Sequence, residues 1–180
     1  MNKAIFIDKD GTLIEDVPYN VDVEKIALMP YAGRLKALQD KGYLLIVVSN
    51  QTGVAKGLFQ EEDLVKVKDR LVLLLKKDDV TLDGFYYCPH DMQGKVKEYA
   101  IRCEDHKPRP GMLLKAAQDY DVDLSTSWMI GDKPEDVEAG KNAGCKIILI
   151  TNGQSDPKEP DFVVHDLGDA VQHILEKTVI

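Results

Sequence analysis

The sequence predicts an α/β protein: a doubly wound, mostly parallel sheet with helices on both faces. Two observations lead there. Short apolar runs rich in β-branched residues alternate with segments of helical periodicity along the whole chain. Several of those runs also stop abruptly on carboxylates, hydroxyls, amides and glycines, as strands do when their C-terminal ends form a ligand-binding edge.

The first run, Ala4 to Ile7, reads as a buried strand ending on Asp8, Asp10, Gly11 and Thr12. Residues 13 to 29 carry no sustained periodicity. A helix is expected after Pro30, with Ala32, Leu35 and Leu38 inward and Gly42 as its stop. Tyr43 to Val48 is the second strand, ending on Ser49, Asn50, Gln51, Thr52 and Gly53. The next helix places Leu64, Val67, Leu71 and Leu74 on one face. Gly84 to Tyr87 suits a short strand, and residues 88 to 109 form a loop long enough to need its own source of order. Pro110 and Gly111 open a helix with Leu113, Leu114 and Ala117 facing inward. Trp128 to Ile130 is a strand ending on Gly131 and Asp132, and Pro134 begins a helix that Gly144 ends. Lys146 to Ile150 and Phe162 to Val164 are strands, and a last helix runs from about Asp166 to Lys177 with Leu167, Ala170 and Ile174 inward. The 180 residues are read as one domain, with residues 88 to 109 as an insertion in it.

Composition narrows the partners. A formal net charge of -8 with scattered basic residues speaks against nucleic acid. The longest apolar runs are far too short to cross a membrane, and the first strand starts too early for a secretory leader, so a cytoplasmic protein is expected. Three cysteines make no complete disulfide framework, which suits a reducing compartment and raises the prospect of metal ligation. Cys145 reads as packing. A monomer is the expected state.

Three strand ends carry reactive groups: Asp8 and Asp10, Ser49 and Asn50, and Asp132 with Asp136 nearby. Side by side, they would meet in one crevice. Clustered carboxylates repel one another unless a cation neutralises them, and an all-oxygen set suits magnesium. An EF-hand calcium loop starting at Asp8 fails, because Leu13 stands where that loop needs glycine and Tyr19 where it needs glutamate. A metal site of this kind, completed by water and phosphate oxygens, points to phosphate chemistry.

Asp8-Lys9-Asp10-Gly11-Thr12, Ser49-Asn50, Lys107-Pro108 and Gly131-Asp132, in that order, resemble the four motifs of the haloacid dehalogenase-like phosphatases. The resemblance implies Asp8 as nucleophile, Asp10 as acid then base, Ser49 on a phosphoryl oxygen and Lys107 neutralising charge. It places magnesium on Asp8, the carbonyl of Asp10 and Asp132. Cap insertions of that family have no room here, so substrate selection falls to loops. Tyr86-Tyr87-Cys88-Pro89-His90, Cys103 and Lys107 to Met112 resemble more closely the subgroup of D-glycero-D-manno-heptose 1,7-bisphosphate 7-phosphatases and histidinol phosphatases. That subgroup implies a structural zinc on Cys-x-His and Cys-x-Cys. Here Cys88, His90 and Cys103 match and Asp105 replaces the last cysteine; in extended chain Asp105 falls on the side of Cys103, with His106 pointing away. By the same resemblance Asp16, Tyr19, Asn50, Gln51, Thr52, His106 and Lys133 contact the substrate. A bisphosphate needs a second basic contact, for which Lys9, Arg109 and Lys133 are the candidates. Two readings stay beside the heptose bisphosphate: histidinol phosphate as substrate, and a non-enzymatic phospho-aspartate receiver module.

Overall fold

The computed structural model describes residues 1–151 and 159–178. Six strands, β1 (Lys3–Ile7), β2 (Tyr43–Asn50), β3 (Gly84–Cys88), β4 (Trp128–Gly131), β5 (Lys146–Ile150) and β6 (Phe162–Val164), form one sheet in the order β3-β2-β1-β4-β5-β6. Every neighbouring pair is parallel. The chain winds outward from β1 in one direction, then returns to start β4 on β1's other side. The gap between the ends of β1 and β4 is therefore the topological switch point, where open α/β sheets bind ligands.

Alternation along β1 divides the interior. Ile5 and Ile7 join a core with Leu35, Val67, Leu71, Leu75 and Ile174, under the helices α1 (Leu35–Gln39), α2 (Glu61–Lys76) and α5 (Leu167–Thr178). Ala4 and Phe6 join the opposite core with Met112, Leu113, Ala116, Ala139 and Cys145, under α3 (Gly111–Asp119) and α4 (Pro134–Ala143). Both faces of the sheet are thus covered, as a parallel sheet requires. Among the described residues no further folded layer stands over the strand ends, and no helix is long and apolar enough to cross a membrane.

Local chemistry sets the boundaries. Gly144 takes left-handed backbone, φ +88°, and caps α4, whereas α1 ends at Gln39 with Asp40 as its cap and Gly42, φ +85°, lies in the turn before β2. The helix expected after Pro30 begins as a 3-10 turn, Ala32–Arg34, before α1. Two inward faces differ from expectation. In α2 it is Leu75 that is fully buried while Leu74 is partly so. In α3 the buried residues are Met112, Leu113 and Ala116, and Leu114 is 47% exposed. A helix turns about 100° per residue, so starting the apolar stripe one position late rotates it away from the sheet.

Residues 89 to 110 contain neither helix nor strand and are ordered by side-chain anchors. Glu61, at the start of α2, accepts hydrogen bonds from Tyr87 (2.6 Å) and Tyr99 (2.8 Å), while the amides of Lys95 and Val96 both donate to the carbonyl of Ala55.

Candidate active site

Asp8 immediately follows β1, and its amide donates to the carbonyl of Ile130 on β4 (3.0 Å), so its side chain starts from the seam between the two strands. Asp132 follows β4, and Asp136 lies in the first turn of α4. One carboxylate oxygen from each of Asp8, Asp132 and Asp136 lies within 4.8 Å of the others. The loop after β1 must leave room for this. Gly11 has φ +86°, and a Cβ there would fall 2.6 Å from Oδ2 of Asp132. Thr12 donates to Oδ1 of the same aspartate (3.0 Å). Gly131 has a similar duty, since a Cβ would fall 2.3 Å from Cβ of Asp136.

Lys107 enters from the long loop. Its ammonium, 1% exposed, donates to Oδ1 of Asp8 (2.6 Å), Oδ1 of Asp136 (2.6 Å) and the carbonyl of Val48 (3.0 Å). Burial works to lower its pKa, but the charges of Asp136 and Asp8 outweigh it and hold Lys107 above the ordinary lysine value. Burial, with Asp8 nearby, pushes Asp132 up to about 6. Burial also dominates at Asp136, where Lys107 opposes it and Asp8 reinforces it, giving about 7. Carboxylates packed this closely beyond what nearby ammonium groups neutralise are the donor set of a hard divalent cation. Magnesium fits on chemistry. Both oxygens of Asp136 are already bonded, Oδ1 to Lys107 and Oδ2 to the amide of Lys133 (3.1 Å). That leaves Asp8 and Asp132 as the residues better able to hold the ion and Asp136 as the residue that orients Lys107.

Asp10 stands at the mouth of this centre. Its carboxylate accepts from Lys9 (2.8 Å) and from Gln51 (3.1 Å), and Gln51 also donates to Oγ of Ser49 (2.7 Å). Ser49 and Asn50 lie on β2 itself rather than beyond it. Because Oγ of Ser49 accepts from Gln51, its proton is left to donate. Asn50 binds the backbone of Lys107 at two points, accepting from its amide (3.0 Å) and donating to its carbonyl (3.1 Å).

Outside this centre opens a polar cleft of about 420 Å³. Lys9, Asp10, Asp16, Tyr19, Asn50, Gln51, Thr52, His106 and Lys133 line it, as does Lys56, which the sequence motifs did not single out. Arg109 is not a cleft residue. Its guanidinium donates to the carbonyl of Cys103 (2.9 Å) and lies 3.7 Å from Glu104, which ties it to the loop instead. Asp136, expected near Asp132 from the sequence, is a full member of the centre because it lies in the first turn of the helix that follows that aspartate.

In the loop, Sγ of Cys88, a ring nitrogen of His90 and Sγ of Cys103 lie within 4.8 Å of one another. Asp105 is not in that group. Its amide donates to Sγ of Cys103 (3.4 Å), while its carboxylate lies against Gly111, where a Cβ would fall 2.4 Å from Oδ1. His106 does not point away as extended chain would have it: its Nδ1 is 3.8 Å from Sγ of Cys88 and 2.8 Å from the carbonyl of His90. A turn at this point, in which the His106 amide donates to Cys103's carbonyl, replaces strand-like alternation.

Comparison with known proteins decides among the readings. A 7-phosphatase of D-glycero-β-D-manno-heptose 1,7-bisphosphate from Pasteurella multocida is 40% identical over 177 residues, covering 94% of this chain and 95% of that one. The chain belongs to the haloacid dehalogenase-like phosphatases. The enzyme of the same name from Escherichia coli K12 is 37% identical over 177 residues, 95% of this chain and 93% of its own. A family model for haloacid dehalogenase-like hydrolases matches residues 105–170. The D,D-heptose 1,7-bisphosphate phosphatase from B. bronchiseptica, solved with magnesium and phosphate, superposes with a TM-score of 0.81 at 26% identity, over 97% of this chain and 99% of that one. Membership of this family leaves the receiver module without support.

Proposed function

We propose that this haloacid dehalogenase-like protein is a magnesium-dependent phosphomonoesterase that removes the 7-phosphate of D-glycero-D-manno-heptose 1,7-bisphosphate. The observation that carries the reading is the meeting of Asp8, Asp132, Asp136 and Lys107 at the switch point, with Asp10 between them and the cleft. In the first step an oxygen of Asp8 bonds to phosphorus as the bond to the sugar oxygen breaks, and Asp10 gives its proton to the departing alkoxide. In the second, Asp10 takes a proton from water, whose oxygen bonds to phosphorus as the bond to Asp8 breaks, releasing inorganic phosphate. Lys107 faces the phosphoryl charge, Ser49 donates to a phosphoryl oxygen, and Gln51 holds Asp10 and Ser49 in mutual register. Magnesium, when bound by Asp8, Asp132 and the carbonyl of Asp10, supplies charge neutralisation of the phosphoryl oxygens.

The same reading takes the protein as a cytoplasmic monomer with a small phosphorylated metabolite as partner, and neither nucleic acid nor membrane. It also gives the loop a structural zinc. Two thiols and an imidazole form a soft donor set suited to zinc, held by Cys88, His90 and Cys103, with Asp105 outside the group. Phosphate release from the heptose bisphosphate, histidinol phosphate and an aryl phosphate tests the substrate. The largest specificity constant is expected for the bisphosphate, and an equal or larger one for histidinol phosphate overturns that choice.

A further inference from the structure

A bisphosphate brings a second dianion, and resting on the bisphosphate reading above, the cleft must supply a cation for it. Of the candidates, Arg109 is tied to Cys103 and Glu104. Lys9 is almost wholly buried and committed to Asp10 at 2.8 Å. Lys133 is half-buried and sits in the field of Asp8 and Asp132, so its charge serves the catalytic end. Lys56 remains. It lines the cleft with its side chain 36% exposed. Its Nζ donates to the hydroxyl of Tyr19 (2.6 Å), lies 4.9 Å from the centre of that ring and 3.9 Å from Asp91. A phenol, an aromatic face and one distant carboxylate orient an ammonium without neutralising it as a close ion pair would. Tyr19 is itself unusual. Its backbone is left-handed, φ +56°, a conformation unfavourable for a bulky side chain, and it is nearly half exposed beside the cleft.

We infer that Lys56, aimed by Tyr19, binds the phosphate that is not hydrolysed and so determines the preference for bisphosphate over monophosphate. The sugar would then lie along the cleft with its scissile ester at Asp8 and its other phosphate at the Tyr19 rim. This makes Lys56 a specificity residue that touches substrate away from the reacting atoms.

The test compares the heptose 1,7-bisphosphate with the 7-monophosphate of the same sugar. Wild-type protein is expected to prefer the bisphosphate; absence of that preference overturns both the substrate reading and this inference. In Lys56→Gln, kcat/KM on the bisphosphate is expected to fall about 10- to 100-fold more than on the monophosphate, mainly through KM. Lys56→Arg should restore most of the loss, and Tyr19→Phe should give a smaller loss of the same kind. A wild type that discriminates while Lys56→Gln loses equally on both substrates, or on neither, overturns the role of Lys56 alone and leaves the substrate reading standing.

Discussion

The protein holds two three-membered donor groups built in opposite ways. Asp8, Asp132 and Asp136 come from the ends of neighbouring strands and the start of a helix, elements fixed by two packed cores. Cys88, His90 and Cys103 combine one strand end with two positions in a loop without regular structure. The first group is hard and charged, with Lys107 bridging Asp8 and Asp136; the second is soft and carries no comparable internal cation. The difference teaches where order comes from. The carboxylates are positioned by the sheet before any ligand arrives, whereas the loop depends on Glu61, Ala55 and Asn50 for anchorage and stands to gain more from a bound ion. Lys107 joins the two regions, because it is delivered by the loop and consumed by the carboxylates.

Substitution at the carboxylate end should produce the largest effect. Asp8→Asn is expected to lower phosphate release roughly 10⁴-fold or more while leaving the far-ultraviolet dichroism unchanged, since an amide keeps the shape and loses the nucleophile. Substantial residual turnover would remove Asp8 from that role. Breaking the link between the regions comes next. Lys107→Ala leaves Asp8 and Asp136 buried without their shared cation, and urea unfolding in chelator should show about 3–5 kcal/mol lost. A loss below ~1 kcal/mol would mean that the carboxylates relax independently of the loop. At the soft end, Cys103→Ser should reduce zinc from about one ion per chain to a small fraction, measured by elemental analysis of protein purified without chelator. A wild-type protein with no zinc and a protease-resistant loop would show that the anchors suffice.

The smallest effect concerns pH. Asp132 is raised to about 6 in the folded protein from an ordinary 3.8, so the folded state binds its proton more tightly than the unfolded one. Its favourable contribution is present below about pH 4 and is lost as pH rises through 6. In chelator, Asp132→Asn should therefore melt above the wild type by an amount that grows from pH 5 to pH 8, reaching roughly 2–4 °C. A gap that shrinks over that window would contradict the repulsion argument.

Much of this was legible in the sequence because it followed from local chemistry. Apolar runs, Pro134 and Gly144 marked elements that need only short-range rules, and Ser49, Asp8 and Asp132 mark the ends of runs that become strands. What escaped depended on side-chain direction in irregular backbone. Arg109 and Lys56 are both basic and both near a motif, yet one turns back to Cys103 and the other faces Tyr19. No periodicity distinguishes them, because each orientation is set by a carbonyl or hydroxyl distant in sequence or folded back by a turn. His106 was misdirected by assuming extended chain where the backbone turns. Leu114 failed for a different reason: α3 is only nine residues long, too short for its apolar stripe to reveal its phase.

The paired contact between Asn50 and the backbone of Lys107 has one more consequence. The carboxamide imitates an extra rung of the sheet, clasping a segment that has no strand of its own beside β2. With β3 fastening the other end, the cysteine-bearing excursion is a closed ring rather than a dangling flap, and it should open to solvent only when that clasp releases. The Lys107 amide is then expected to exchange its hydrogen more slowly than those of exposed residues around it, such as Arg102 and Glu104.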